Sequence, residues 1–260
     1  MLRHPPAFLL SLLAAVVALV PRTSAGADFL PAVSLHLEAA RYAPVETDLY
    51  WTTTIGGGAD VFGLGGFRGY IVGDVETIIG STRRAFDATQ INYHLEFGGR
   101  WRVRGVTVNP FFHHVSRHRS DREKEPAVDW NMLGVRGEMR LSPGGRRAEV
   151  GGSVGHTTLA SLVGYRWELT GHGDLEVFGG ERTAGYAAAR ARFVTIDPEP
   201  ELPRDDFLDW AFEGGFRFRS EHRVFEAFAA YERRNDVLLL VPSVLTRGLF
   251  GIRIRFGEDE

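Results

Sequence analysis

Apolar and polar residues alternate one for one along most of this chain, in segments of about ten residues separated by turn-forming stretches. The stretch from Gly248 to Phe256, GLFGIRIRF, is the plainest case. Side chains alternate across an extended strand, so Phe250, Ile252, Ile254 and Phe256 share one face while Arg253 and Arg255 share the other. The same division recurs upstream. Leu208, Trp210, Phe212, Phe216 and Phe218 oppose Asp209, Glu213, Arg217 and Arg219, and Ile91, Tyr93, Leu95 and Phe97 oppose Asn92, His94 and Glu96. Val163, Tyr165, Trp167 and Leu169 oppose Arg166 and Glu168. Ala187, Ala189, Ala191 and Phe193 oppose Arg190 and Arg192, and Leu133, Val135 and Met139 oppose Arg136, Glu138 and Arg140.

Segments with this signature run over 31–42, 46–57, 67–79, 89–98, 100–117, 129–141, 146–157, 161–171, 173–181, 185–196, 207–219, 221–233 and 246–256. Bacterial barrels take an even number of strands, so one boundary in this set is misplaced. The pattern predicts an all-β fold, an antiparallel transmembrane β-barrel of about 12 strands, with roughly 10 to 14 allowed. Ser142–Gly145 and Gly171–Gly173 read as short periplasmic turns, and 118–128, 197–206 and 234–245 as extracellular loops. Each polar face mixes arginine with carboxylates, which favours a lumen filled by ion pairs over a wide pore.

A soluble sandwich or lipocalin-like barrel also alternates apolar and polar residues. Two features weigh against it. Trp51, Tyr70, Trp101, Tyr165, Trp167, Trp210 and Tyr231 fall near the ends of apolar rows, as interfacial girdles require. The strand Gly248–Phe256 lies almost at the chain end, where a barrel closes on its first strand.

The amino terminus refines the location. Arg3 and His4 precede an apolar run from Ala7 to Val20, and Ala25, Gly26 and Ala27 supply the small residues of a cleavage site. Residues 1–27 therefore read as a cleaved secretory signal, too short to cross a bilayer as a helix. Residues 28–260 read as a single outer-membrane barrel domain, with no linker to divide them. The chain has no cysteine, which removes disulfides, thiolate metal sites and a lipoprotein anchor. Its net charge of −3 advertises no nucleic acid partner. Glycines 56–58, 63, 65 and 66 lack the lysine and the strand-to-helix setting of a phosphate loop and read as a hairpin loop, so no cofactor is expected.

Candidate chemistry lies in Phe111–Asp121, FFHHVSRHRSD. His114, Ser116 and His118 share one face of an extended strand, with neighbours two apart separated by about 6–7 Å at Cα. A hydroxyl and an imidazole so placed suit a nucleophile and a general base. Their row continues backwards through Phe112, Pro110, Val108 and Val106, an apolar series that faces lipid. The competing readings are a polar strand end at the membrane interface and, more remotely, a metal site; imidazoles at 114 and 118 stand about 13 Å apart, too far for one ion on a straight strand. His36 with Glu38 and His94 with Glu96 read as lumen or interface residues.

The stretch resembles the outer-membrane lipid A 3-O-deacylase family, in which a barrel carries a His-x-Ser motif with a downstream glutamate. His114, Val115 and Ser116 match the motif, and Asn131–Gly134 loosely matches a following Asn and Gly; Arg117, His118 and Arg119 depart from the family's sequence after the serine. The resemblance implies removal of an ester-linked acyl chain from lipopolysaccharide, with Ser116 as nucleophile and His114 as base, and leaves the orienting acid open among Glu123, Glu125 and Glu138. The stretch is also similar to an envelope domain family of unknown function with a His-x-Ser-Ser-His-Leu-Gly-Asp signature, which His114, Ser116, His118 and Asp121 match in part. Gly248–Phe256 resembles the carboxy-terminal signal read by barrel-assembly machinery, although Gly257–Glu260 follows the terminal aromatic. Three functions stay open: a structural or interaction barrel, a lipid A or phospholipid acyl-ester hydrolase, and a small diffusion channel. The expected partners are outer-membrane lipid or lipopolysaccharide and the assembly machinery.

Overall fold

A computed structural model describes residues 27–43, 49–81, 86–120, 128–197, 205–235, 237 and 244–257. Residues 1–26 of the expected signal, loop residues Asp121, Glu123 and Glu125, and the acidic Glu258–Glu260 lie outside the described residues.

The described chain forms twelve strands: β1 (Ala27–Ala43), β2 (Leu49–Leu64), β3 (Phe67–Gly80), β4 (Asp87–Val103), β5 (Val106–Arg119), β6 (Val128–Leu141), β7 (Ala148–Ser161), β8 (Tyr165–Gly179), β9 (Thr183–Ile196), β10 (Phe207–Ser220), β11 (Arg223–Asn235) and β12 (Val244–Phe256). Each pairs antiparallel with its sequence neighbours, and β1 pairs with β12, so the barrel is closed. The closing register runs from Leu35 opposite Phe256 to Ala43 opposite Gly248. GLFGIRIRF is therefore the seam strand its pattern announces. Closure satisfies every edge, which is what permits a sheet to stand in hydrocarbon.

Outward residues are predominantly apolar: Phe250 is 62% exposed and Phe212 60%. A soluble fold would hide such rings; a bilayer solvates them. The chain is an outer-membrane β-barrel.

The surplus thirteenth segment comes from dividing β8. Gly171 and Gly173 are extended residues inside that strand, not a turn, and neither has a positive φ. The true reversal lies at 162–164, where Leu162 has φ 63°. With that change, the connections alternate correctly. Short turns at 65–66, 104–105, 142–147, 180–182 and 221–222 fall at the end that carries the start of β1 and the end of β12, the periplasmic end. Gly56–Gly58 likewise belong to β2 rather than to a loop. A Cβ on Gly56 would meet Asp74 Oδ1 at 1.8 Å, so glycine there makes room for the lumenal His36–Asp74 contact.

Two expected girdle residues face inward. Tyr70 is 4% exposed, and its hydroxyl donates to Glu96 Oε1 at 2.9 Å. Tyr165 is 5% exposed and packs with Trp130 and Phe207. A bulge between Tyr165 and Trp167 puts these residues on opposite faces despite their spacing of two.

The lumen is filled by ion pairs. Arg253 reaches Glu38 at 2.6 Å, Glu213 at 3.0 Å and Glu226 at 2.8 Å. Arg136 forms a two-pronged pair with Glu96, and Arg217 another with Asp174. Arg234 on β11 crosses to Glu76 on β3 at 2.8 Å, linking strands that are not neighbours in the wall. His94 and Glu96 face this interior, as expected. Among the described residues, the lumen holds a cavity of about 560 Å³ in the extracellular half and one of about 550 Å³ in the periplasmic half.

Candidate active site

Alternation along β5 splits FFHHVSRHRSD between two environments. His113 points into the lumen, where its Nε2 lies 3.3 Å from His94 Nδ1. Arg117 is also internal and donates to Asn92 Oδ1 at 3.2 Å and to the carbonyl oxygen of Val237 at 3.1 Å. Buried Phe111 and Val115 complete that face. His114, Ser116 and His118 take the other face, toward lipid.

The register then brings β6 beside them. Asn131 is the Cα partner of His114, and Asp129 the partner of Ser116. Val128, Trp130 and Met132 are buried, so Asp129 and Asn131 must project outward. His114 Nδ1 lies 2.7 Å from Asn131 Oδ1. An amide oxygen only accepts, so Nδ1 carries the proton and Nε2 keeps its lone pair. The neighbouring hydroxyl, Ser116 Oγ, lies 2.7 Å from His118 Nε2. Tyr93 on β4, the Cα partner of Ser116 on the other side, sets its ring edgewise against His118 with centroids 5.7 Å apart.

The candidate residues thus come together as two short pairs. Ser116 stands between two imidazoles, bonded to His118 in this rotamer, while His114 is the imidazole that a third group orients. Of the carboxylates proposed for that orienting role, Glu138 faces inward and accepts from Asn109 at 3.4 Å. Asn131 occupies the place instead. Asp129 and Tyr93 carry no sequence signal, because they join the cluster only through cross-strand register.

The cluster sits at a defined depth. From Val106 to Ser116 is ten residues along β5, and from Leu141 to Asn131 ten along β6. At a strand tilt near 40° that span is roughly 25 Å along the membrane normal, the height of the apolar band. The pairs therefore lie at the outer rim of the hydrocarbon, where lipid ester groups are found. Elsewhere at the extracellular end the outward positions include Trp51, Leu208 and Tyr231.

No protein-family model and no curated protein sequence matches this chain. Solved structures do match in fold. The outer membrane phospholipase dimer of Salmonella typhi, with bound calcium, is 9% identical, with a TM-score of 0.51 over 86% of this chain and 90% of that one. The translocator domain of the autotransporter NalP from Neisseria meningitidis is 10% identical, with a TM-score of 0.43 over 96% and 95%. The transport unit of the autotransporter AIDA-I from Escherichia coli is 12% identical, with a TM-score of 0.43 over 99% and 100%. At these identities the likeness concerns the fold alone: this chain has the architecture of outer-membrane β-barrels.

Proposed function

We propose that this barrel is an acyl-ester hydrolase acting on lipid of the outer leaflet, with Ser116 as nucleophile and His114 as its base. The observation that carries this reading is a serine hydroxyl within 2.7 Å of an imidazole on the lipid-facing wall, beside a second imidazole fixed by a carboxamide 2.7 Å away. A strand serine commonly uses two χ1 settings, and in the one seen here Ser116 Oγ bonds His118. The proposal requires Ser116 Oγ to turn from His118 to His114 Nε2, which would order Ser116, His114 and Asn131 as nucleophile, base and orienting group.

In that alignment Ser116 Oγ attacks the ester carbonyl carbon and passes its proton to His114 Nε2. Collapse of the tetrahedral intermediate expels the lipid alcohol, which takes the proton back from His114 and leaves an acyl-serine. Water, deprotonated by the same nitrogen, then releases the fatty acid and restores the hydroxyl. Asn131 keeps the imidazole in the tautomer that each step needs. The outer membrane phospholipase of Salmonella typhi has a similar fold, a fold-level analogy consistent with a lipid ester as the substrate. A diffusion channel fits less well, because arginine–carboxylate pairs bridge the lumen between non-adjacent strands.

The test is release of fatty acid from phospholipid and from lipopolysaccharide by the purified barrel in detergent. Ser116→Ala should abolish release and leave the β-sheet circular dichroism unchanged. Undiminished release by that variant, or no release from either lipid by the wild type, would remove the hydrolase reading.

A further inference from the structure

The wall below Ser116 is shaped as well as apolar. One hydrogen-bonding row runs Phe97, Phe112, Leu133, His156, Trp167 across β4 to β8. Phe112 stacks on Phe97 with centroids 4.8 Å apart, and His156 packs edgewise on Trp167 at 4.5 Å. Leu133 therefore lies between two aromatic pairs, one on either side along the row.

Beneath Leu133 the outward column of β6 continues through Val135 to Gly137. The flanking positions are modest in size: Pro110 and Val154 beside Val135, then Val108 and Gly152 beside Gly137. A Cβ on Gly137 would meet nothing within 4 Å. The furrow begins at Asn131, next to the oriented imidazole, and descends toward the middle of the bilayer. Its length from Asn131 to Gly137 is about 20 Å on an extended strand.

We infer that the β6 furrow from Leu133 to Gly137 is the track for one acyl chain of the lipid ester, and that Gly137 sets the chain length accepted. This rests on the hydrolase reading of Ser116. The aromatic pairs limit the width, so a single chain enters beside the nucleophile with its carbonyl end at the rim. The direction follows from the membrane, since an acyl chain runs from its ester toward the midplane. Bulk at the foot of the furrow then excludes long chains and spares short ones. Continuity with the site is what favours a substrate chain over a bulk lipid: the track ends at Asn131, beside His114 and one outward position short of Asp129, the cross-strand partner of Ser116.

The probe is a pair of synthetic glycerophospholipids, one bearing hexadecanoyl and one hexanoyl esters, assayed with the full chain in mixed micelles. Gly137→Leu should lower the hexadecanoyl-to-hexanoyl rate ratio by about tenfold or more, the scale on which an apolar pocket discriminates by size. Val135→Phe, higher in the same furrow, should lower the ratio as well and guards against misfolding of the first variant. Ala229→Leu, on the lipid face of β11, should leave the ratio unchanged. A wild type that cleaves neither ester would overturn the hydrolase reading itself. A wild type that cleaves both, with the ratio unmoved in Gly137→Leu and Val135→Phe, would overturn the track alone.

Discussion

The lumen and the outer wall of β5 and β6 both hold polar groups away from bulk water, and they treat them in opposite ways. In the lumen, most charge is paired. Glu226 is wholly buried and accepts from Arg217, Arg253 and Arg255, while Arg253 alone serves three carboxylates. Such networks hold distant strands together and leave little capacity for a ligand. On the lipid face, two pairs stand beside Asp129 on a wall that is otherwise mostly apolar or aromatic, and each retains unused capacity. His114 Nε2 keeps a lone pair, and the Ser116 hydroxyl has one imidazole on either side. Polar side chains facing hydrocarbon are costly and return no packing. Dense pairing of charges marks the structural region; an imidazole and a hydroxyl in an expensive place mark the chemical one.

Exchanging the lesions tests that contrast most directly. His114→Ala should reduce fatty-acid release by about 10²- to 10⁴-fold, the usual contribution of a general base, while the urea midpoint of the barrel in micelles stays near the wild type. Glu226→Ala should do the reverse. It leaves three arginines around an empty buried site and should cost about 3–5 kcal/mol of stability, with release per folded molecule retained. If His114→Ala destabilises the barrel as much as Glu226→Ala does, the lipid-face pairs are structural and the contrast fails.

Asn131→Ala comes next in size. It removes the acceptor that fixes the His114 ring, and a misplaced base typically costs about 10²-fold. The signature of a positioning role is a loss in kcat with KM little changed, together with partial recovery in Asn131→Asp, whose carboxylate accepts the same Nδ1 proton. Equal activity in Asn131→Ala and wild type would separate the two pairs and leave His114 without a function.

Most of the architecture was legible because alternation is strictly local. The two faces of β4, β6, β9, β10 and β12 can be read from residue parity, and parity also separates His113 and Arg117 from His114, Ser116 and His118. Where reading failed, geometry had departed from parity. The bulge at Tyr165 reverses a face without leaving a sequence mark, and Tyr70 sits on the lumenal parity that its aromatic character disguised. The Gly171–Gly173 reading failed for a different reason: glycine also lines extended strands, and here neither residue has the positive φ that would mark a turn. The candidate site was legible on one strand alone. His114, Ser116 and His118 share a strand, whereas Asn131, Asp129 and Tyr93 join them through register with β6 and β4, which is fixed by turns and bulges far from the motif.

His118→Ala should have the smallest effect, and it decides between the two imidazoles. His118 holds the serine hydroxyl at 2.7 Å as the structure stands, with Tyr93 against its ring, but no carboxylate or carboxamide fixes its second nitrogen among the described contacts. If it only parks the hydroxyl, its removal frees Ser116 for His114, and release should change by less than about tenfold in either direction, the value of one ordinary hydrogen bond. A loss as large as that of His114→Ala, with His114→Ala itself nearly active, would exchange their roles: His118 would be the base, and the His114–Asn131 pair would then serve only to hold β5 against β6.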